Sequence, residues 1–153
     1  MVRVTIASLQ DAVPIDRRRL RAVARAVLDG EGVTAARISL AFVDNATIHR
    51  LNKQFLGHDE PTDVISFPLS GPGAKALEGE LVIGAEVARA RAAELGHDER
   101  HELALYVIHG LLHLCGHDDT TKAAARAMRA RERHYLRLVG LPDIAEPGGR
   151  SAH

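Results

Sequence analysis

The predicted order of strands and helices favours an α+β fold, in which about five helices pack on a small four-stranded mixed sheet. Strand and helix patterns alternate along the first half of the chain, and three further helical patterns then follow without a strand between them. The length of 153 residues is that of one domain. With 46% hydrophobic and 26% charged residues, the composition is ordinary for a globular protein and excludes a disordered or collagen-like chain.

The chain is predicted to begin with a strand, a helix and a second strand. β-branched residues alternate with polar ones over residues 2–9, which is the pattern of a half-buried strand. Apolar residues then recur at helical spacing over 16–29, and Gly30 ends this helix. The second strand is predicted over 37–43.

One more helix and two more strands are predicted before the chain turns fully helical. Asp44 is suited to cap the helix, because its side chain can accept a hydrogen bond from a backbone N–H of the first turn, and Gly57 ends it. A third strand is predicted over 62–67 and a fourth over 79–84.

Three helices complete the predicted order. The first covers 85–95, the second runs from a capping Asp98 to a stop at Gly116, and the third covers 121–139. The second is apolar on nearly all sides, so we expect it to be the central buried helix. The metal site predicted below lies at its C-terminal end.

Residues 1–140 are predicted to form this single domain, and residues 141–153 a loose C-terminal tail. Cys115 is the only cysteine, so no intramolecular disulfide partner exists, which fits a reducing cytoplasm. The N-terminus lacks the features of a signal peptide, and no apolar run approaches the ~20 residues needed to span a membrane. We therefore expect a cytoplasmic protein without a membrane segment.

The charge of the chain is balanced but unevenly distributed. Lys and Arg total 20, as do Asp and Glu, which argues against a protein that coats nucleic acid by bulk electrostatics. Residues 17–25 nevertheless hold five Arg and no acid, and residues 122–137 hold six basic residues and one acid. These basic helices are either solvated faces or surfaces that hold RNA phosphates. With only 3% aromatic residues and no Trp, stacking of bases is not expected.

The strongest motif is a histidine pair followed by a glycine turn, with the pattern H-x-x-x-H-x-x-G-x-x-D. His109 and His113 are four residues apart, so both imidazoles face the same side of a helix and suit a zinc ion. Gly116 can end the helix and turn the chain back. The spacing matches the metzincin motif with Asp119 in place of the third His. Asp119 is thus the predicted third ligand, and His117 is the alternative.

Neighbouring residues limit the chemistry of this site. A zinc peptidase needs a glutamate beside the first histidine as general base, but Gly110 stands there. Three protein ligands leave one position for a water molecule, and no catalytic side chain is predicted beyond the metal and its water. Asp118 is expected to face away or to support a ligand histidine, and Cys115 to belong to the core.

With these residues in view, the sequence resembles the YbeY family of bacterial endoribonucleases and rRNA maturation factors. The resemblance covers nearly the whole chain. It is carried by Leu51-Asn52, by the segment 61–68 (PTDVISFP), by the segment 79–83 (GELVI) and by the motif HGLLHLCG that begins at His109.

The resemblance implies a zinc-dependent, single-strand-specific endoribonuclease that acts in 16S rRNA 3′-end maturation and ribosome quality control. It implies one Zn²⁺ per chain, rRNA of the ribosomal small subunit as partner, and a small mixed sheet with helices. The chain departs from the family at two positions: Asp119 replaces a third histidine, and Leu56 replaces an arginine. Because leucine cannot stabilise phosphate charge as a guanidinium does, the alternative is a ribosome-assembly factor with a structural zinc and little or no nuclease activity.

Substrate contacts are predicted near the third strand. Thr62, Asp63 and Ser66 either line the metal cleft or serve only as turn and strand residues. A nearby basic or imidazole side chain can take the place of the missing arginine; the candidates are Lys53, Arg50 and His58.

Overall fold

The computed structural model describes residues 1–145. Its sheet contains β1 (Val2–Ser8), β2 (Ala36–Val43), β3 (Val64–Pro68) and β4 (Leu77–Gly84). The strand order is β1-β2-β4-β3. β2 is parallel to both of its neighbours, and β3 is antiparallel to β4. The predicted four-stranded mixed sheet is therefore confirmed, with β1 and β3 at its edges.

Five helices accompany this sheet in the described part of the chain. They are α1 (Arg17–Gly30), α2 (Asn45–Leu56), α3 (Ala85–Leu95), α4 (Glu99–Leu114) and α5 (Lys122–Leu138). Four of them begin after a residue whose side chain accepts a hydrogen bond from a backbone N–H of the first turn: Asp16, Asp44, Asp98 and Thr121. Because such caps satisfy the otherwise unpaired N–H groups of a helix start, these boundaries could be predicted closely.

Helix α4 lies at the centre of the molecule, as predicted. Every residue from 102 to 112 is buried, because α1, α3, α5, β3 and β4 all pack on this helix. Gly110 permits a close approach to the sheet: a Cβ built there would lie 2.9 Å from the Leu81 methyl carbons and 3.1 Å from Val64 Cγ2. The C-terminal end of α4 is thereby placed beside the edge strand β3.

Two arginines of α1 cover the free edge of β1. Arg17 Nη1 donates a hydrogen bond to the carbonyl of Ile6 at 2.6 Å, and Arg21 Nε donates to that of Val4 at 3.1 Å. Unpaired carbonyls on an edge strand otherwise invite pairing with another chain. At least two arginines of the basic segment 17–25 therefore have a structural role.

Three boundaries differ from the prediction by two residues or more. β3 begins two residues late, at Val64, because its pairing with β4 starts there. β4 begins two residues early because its N-terminal end extends the pairing with β2. The predicted loose tail is wrong for residues 141–145, because their apolar side chains are buried against the core: Leu141, Ile144 and Ala145. The rest of that tail, 146–153, lies outside the described residues. None of the helices within residues 1–145 combines the length and apolar character needed to cross a membrane.

Candidate metal centre

Two histidines and one aspartate meet at the C-terminal end of α4. His109 and His113 lie one turn apart, and their Nε2 atoms are separated by 3.0 Å. Asp119 Oδ2 lies 3.7 Å from His109 Nε2, and its Oδ1 lies 3.7 Å from His113 Nε2. Since one ligand atom of each residue lies within 4.8 Å of the others, the three residues can hold a metal ion.

A glycine turn brings Asp119 back towards the helix. Gly116 has a φ of 101°, a left-handed conformation that glycine adopts without strain. The backbone N–H groups of Gly116 and His117 donate to the carbonyls of His113 and Leu112, both at 3.0 Å. These bonds satisfy carbonyls that the helix end leaves unpaired, and they reverse the chain within three residues.

This donor set fits a zinc ion. Metal–ligand distances of about 2.0–2.2 Å in a tetrahedral site imply ligand atoms about 3.3–3.6 Å apart, and the separations of 3.0 and 3.7 Å bracket that range. Imidazole nitrogen and carboxylate oxygen are both usual zinc ligands, and three protein ligands are typical of a catalytic site. The side chain of His113 is 29% exposed, so the cluster can be reached from solvent.

A buried glutamate supports the first histidine from behind. Glu132 of α5 is 5% exposed, and its Oε2 lies 2.7 Å from His109 Nδ1. Burial alone would lower the pKa of His109, but the hydrogen bond and charge of Glu132, together with the charges of Asp63 and Asp119, raise it. A carboxylate on Nδ1 keeps the proton there and leaves Nε2 as the metal-facing atom.

The alternative third ligand makes a different contact. His117 Nε2 lies 2.5 Å from Glu31 Oε1, and His117 is not part of the cluster of three possible ligands found within residues 1–145. The arrangement therefore favours Asp119 as the third ligand.

Three predicted substrate residues lie on or just before β3. Asp63 is near enough for its charge to act on His109, and Thr62 Oγ1 lies 3.3 Å from Asp63 Oδ1. Ser66 Oγ donates to the carbonyl of Gly110 at 3.3 Å. The side chain of Ser66 thus ties β3 to α4 directly beside His109.

The fourth predicted contact lies on the exposed C-terminal part of α2. Lys53 Nζ lies 3.9 Å from Asp59 Oδ2, and His49 Nε2 lies 2.7 Å from the other oxygen of that carboxylate. Leu56, where the resemblance implies an arginine, is 53% exposed. Among the described contacts, Lys53 joins Asp59 and not the histidine cluster.

Gly110 and Cys115 lie next to the cluster in sequence, and both face the interior of the protein. The Cβ direction of Gly110 points at the sheet, so a side chain there would not face the cluster, which agrees with the argument against a peptidase. Cys115 packs against the core. Burial, with a smaller contribution from the charge of Glu31, raises the pKa of its thiol to about 11. Cys115 is not part of the cluster of possible ligands found within residues 1–145.

Sequence reasoning missed both glutamates that contact this region, Glu31 and Glu132. The sequence contained one usable signal, because Glu132 is the single acid among six basic residues in 122–137. An isolated acid on a basic helix is expected to face a specific partner. Three of those six basic residues in turn pair with acids of the same chain: Arg131, Arg133 and Arg137.

Comparisons with known proteins identify the family of this chain. The family model described as Endoribonuclease YbeY matches residues 5–140. The Endoribonuclease YbeY of Carboxydothermus hydrogenoformans is 40% identical over 139 residues, which cover 89% of this chain and 96% of the relative. That of Salinibacter ruber is 39% identical over 132 residues, which cover 82% of this chain and 84% of the relative.

A solved structure supports the fold. The solution structure of TM1509 from Thermotoga maritima matches with a TM-score of 0.61 at 23% sequence identity, covering 99% of this chain and all of the other. The family model spans most of the chain, and the relatives are about 40% identical over most of their length. The chain therefore belongs to the Endoribonuclease YbeY family.

Proposed function

We propose that this chain is a zinc-dependent, single-strand-specific endoribonuclease that acts in 16S rRNA 3′-end maturation and ribosome quality control in the cytoplasm. The observation that carries the proposal is the cluster of His109, His113 and Asp119 at the end of a buried helix. The relatives are named endoribonucleases, which supports an RNA-cleaving hydrolase. Within this proposal, the substrate is rRNA of the small subunit.

The residues of the chain divide into metal ligands and supporting groups. His109 and His113, each through Nε2, and a carboxylate oxygen of Asp119 would hold one zinc ion. When bound, zinc acts as a Lewis acid that activates water and polarises a phosphoryl oxygen. Glu132 would hold His109 in the required tautomer, and Asp63, whose charge acts on His109, is a candidate substrate contact.

Leu56 is the observation that favours a second function. In the family, an arginine at this position is available to stabilise developing phosphate charge, whereas Leu56 offers no charge, and the nearby Lys53 pairs with Asp59. The alternative is therefore a ribosome-assembly factor in which zinc is structural and nuclease activity is low or lost.

RNA cleavage and metal content measured in parallel test the proposal. The purified protein and its His113→Ala variant are incubated with a labelled single-stranded fragment of the 16S rRNA 3′ region. We expect His113→Ala to lose both zinc and cleavage, and His101→Ala, at the other end of α4, to retain both. Cleavage that survives loss of the metal would contradict the mechanism, and a zinc-loaded but inactive wild type would favour the assembly factor.

Zinc retention after dialysis tests the third ligand. Asp119→Ala is expected to lose zinc, because its carboxylate lies 3.7 Å from both imidazoles. His117→Ala is expected to retain it, because His117 contacts Glu31. If His117→Ala alone loses zinc, the assignment of Asp119 is wrong.

A further inference from the structure

A second polar cluster lies beside the metal centre. Its hub is Glu31, which directly follows α1 and whose side chain is 7% exposed. Glu31 Oε1 lies 2.5 Å from His117 Nε2, and Oε2 accepts hydrogen bonds from Arg131 and Tyr135 of α5. We call these four residues the Glu31 cluster. It joins the end of α1, the turn after α4 and one face of α5.

The carboxylate at the hub is charged. Burial alone would raise the pKa of Glu31, but hydrogen bonds from Tyr135, His117 and Arg131 outweigh it and lower the pKa to about 2. A hydrogen bond to an ionised carboxylate is roughly twice as strong as one between neutral groups. The imidazole of His117 is therefore held by a strong, buried acceptor.

The position of the hub is fixed by tight packing between helices. A Cβ built on Gly30 would lie 2.5 Å from both Cε1 and Oη of Tyr135, so the end of α1 lies directly against the Tyr135 ring. Because α1 and α5 meet there without intervening space, the Glu31 carboxylate has a defined location relative to α5.

His117 connects this fixed hub to the metal centre. Its backbone N–H donates to the carbonyl of Leu112 at 3.0 Å, and its side chain reaches Glu31. The residue is thus held by both its main chain and its side chain, two positions before Asp119. A ligand on a surface turn must be ordered before it can bind well, and supporting contacts provide that order.

We propose that Glu31 is a positioning residue of the metal centre, which acts through His117 to fix the 116–119 turn and to hold the Asp119 carboxylate beside His109 and His113. The proposal rests on the metal centre described under the proposed function. It assigns His117 a role as a link and not as a ligand.

A double-mutant cycle on zinc affinity tests the link. The zinc dissociation constant is measured by chelator competition for wild type, His117→Gln, Asp119→Ala and the double variant. We expect His117→Gln to raise the constant about 10-fold when Asp119 is present, at the lower end of supporting-contact effects. A site weakened to this extent still retains zinc in the dialysis experiment. In the Asp119→Ala background we expect less than about a 2-fold effect, because the ligand that the turn positions is gone.

A matched control separates positioning from general packing. Tyr135→Phe removes one donor to Glu31 but leaves the His117–Glu31 contact in place, so it is expected to change the zinc dissociation constant less than about 2-fold. His117→Gln leaves Glu31 bonded to Arg131 and Tyr135, so the variant is expected to fold. Glu31→Gln should reproduce the effect of His117→Gln, and the two effects should not add.

Amide hydrogen exchange of the zinc-free protein gives a readout that does not depend on the metal. Residues 116–121 are expected to exchange faster in His117→Gln than in wild type, and equally fast in Tyr135→Phe and wild type. Unchanged exchange and unchanged zinc affinity in His117→Gln would overturn the proposal. An equal loss of zinc affinity in both backgrounds would also overturn it, because His117 would then act independently of Asp119.

Zinc binding by Asp119→Ala distinguishes a wrong ligand set from a wrong positioning role. If Asp119→Ala binds zinc as tightly as wild type, Asp119 is not a ligand, and both the ligand set and the positioning role are refuted. If Asp119→Ala weakens zinc binding and His117→Gln does not, the metal centre stands and only the role of Glu31 is refuted.

Discussion

Replacing Glu31 by glutamine is expected to destabilise the zinc-free fold by about 3 kcal/mol at pH 7. The pKa of this carboxyl falls from an ordinary value of 4.5 to about 2 in the folded protein. A pKa difference of one corresponds to about 1.4 kcal/mol, so this difference corresponds to about 3 kcal/mol of stability. Because the side chain is only 7% exposed, solvent screening reduces this figure little.

The destabilisation caused by Glu31→Gln is expected to become smaller at low pH. Between about pH 4.5 and pH 2 the unfolded chain binds a proton at Glu31 more readily than the folded one does. The stabilisation is therefore complete above about pH 4.5 and is lost as the pH falls towards 2. At pH 3 the same two pKa values leave about 1 kcal/mol.

Urea denaturation followed by circular dichroism measures the difference in free energy of unfolding between wild type and Glu31→Gln. Wild type and Glu31→Gln are compared at pH 7 and pH 3 in the presence of a chelator. Subtracting the two free energies of unfolding cancels the contributions of carboxylates that both proteins contain. One such group is Asp98, whose pKa is lowered by the hydrogen bonds that it accepts from Arg100. A difference that is equal at the two pH values, or well below 1 kcal/mol at pH 7, would refute the view that the charge of Glu31 stabilises this cluster.

Three further changes have defined outcomes. Glu132→Gln preserves the shape of the side chain but removes the negative charge next to His109 Nδ1. The zinc dissociation constant, measured by chelator competition, should therefore rise about 10- to 100-fold. An unchanged constant would contradict the supporting role of Glu132. Gly110→Ala places a methyl group 2.9 Å from Leu81 and should lower the free energy of unfolding by about 1–3 kcal/mol, which is measured as a lower Tm. An unchanged Tm would show that the sheet moves to accommodate the methyl group. Leu56→Arg, at an exposed position, should raise the rate of single-strand RNA cleavage at constant stability; no change would favour the assembly-factor alternative.

The features that could be predicted from the sequence are those encoded locally. Helix starts were placed by capping side chains such as Asp44 and Asp98, which act within three residues. Helix α4 was identified as the central helix because it is apolar on nearly all sides. The cluster of His109, His113 and Asp119 depends on helical spacing and one glycine turn, so the eleven residues from 109 to 119 contain all the necessary information.

The features that were missed depend on distant pairs. Glu132 contacts His109 across 23 residues, and Glu31 contacts His117 across 86. No periodicity connects such positions, because the packing of α1, α4 and α5 decides which side chains meet. The misplaced tail has a similar cause: glycine and proline beyond residue 145 suggested a loose segment, whereas the burial of Leu141 and Ile144 depends on the core they reach.

Helix α5 shows how this packing changes the interpretation of a charge pattern. Successive residues of a helix point about 100° apart. Arg131 and Tyr135 are four residues apart and therefore share a face, from which both contact Glu31. Glu132 points in another direction and contacts His109. One helix therefore contacts the metal centre directly through Glu132 and the turn that carries Asp119 indirectly through Glu31. Arg131, Arg133 and Arg137 all pair with acids of the chain, so RNA binding by α5 has to use its other basic residues or compete with these pairs.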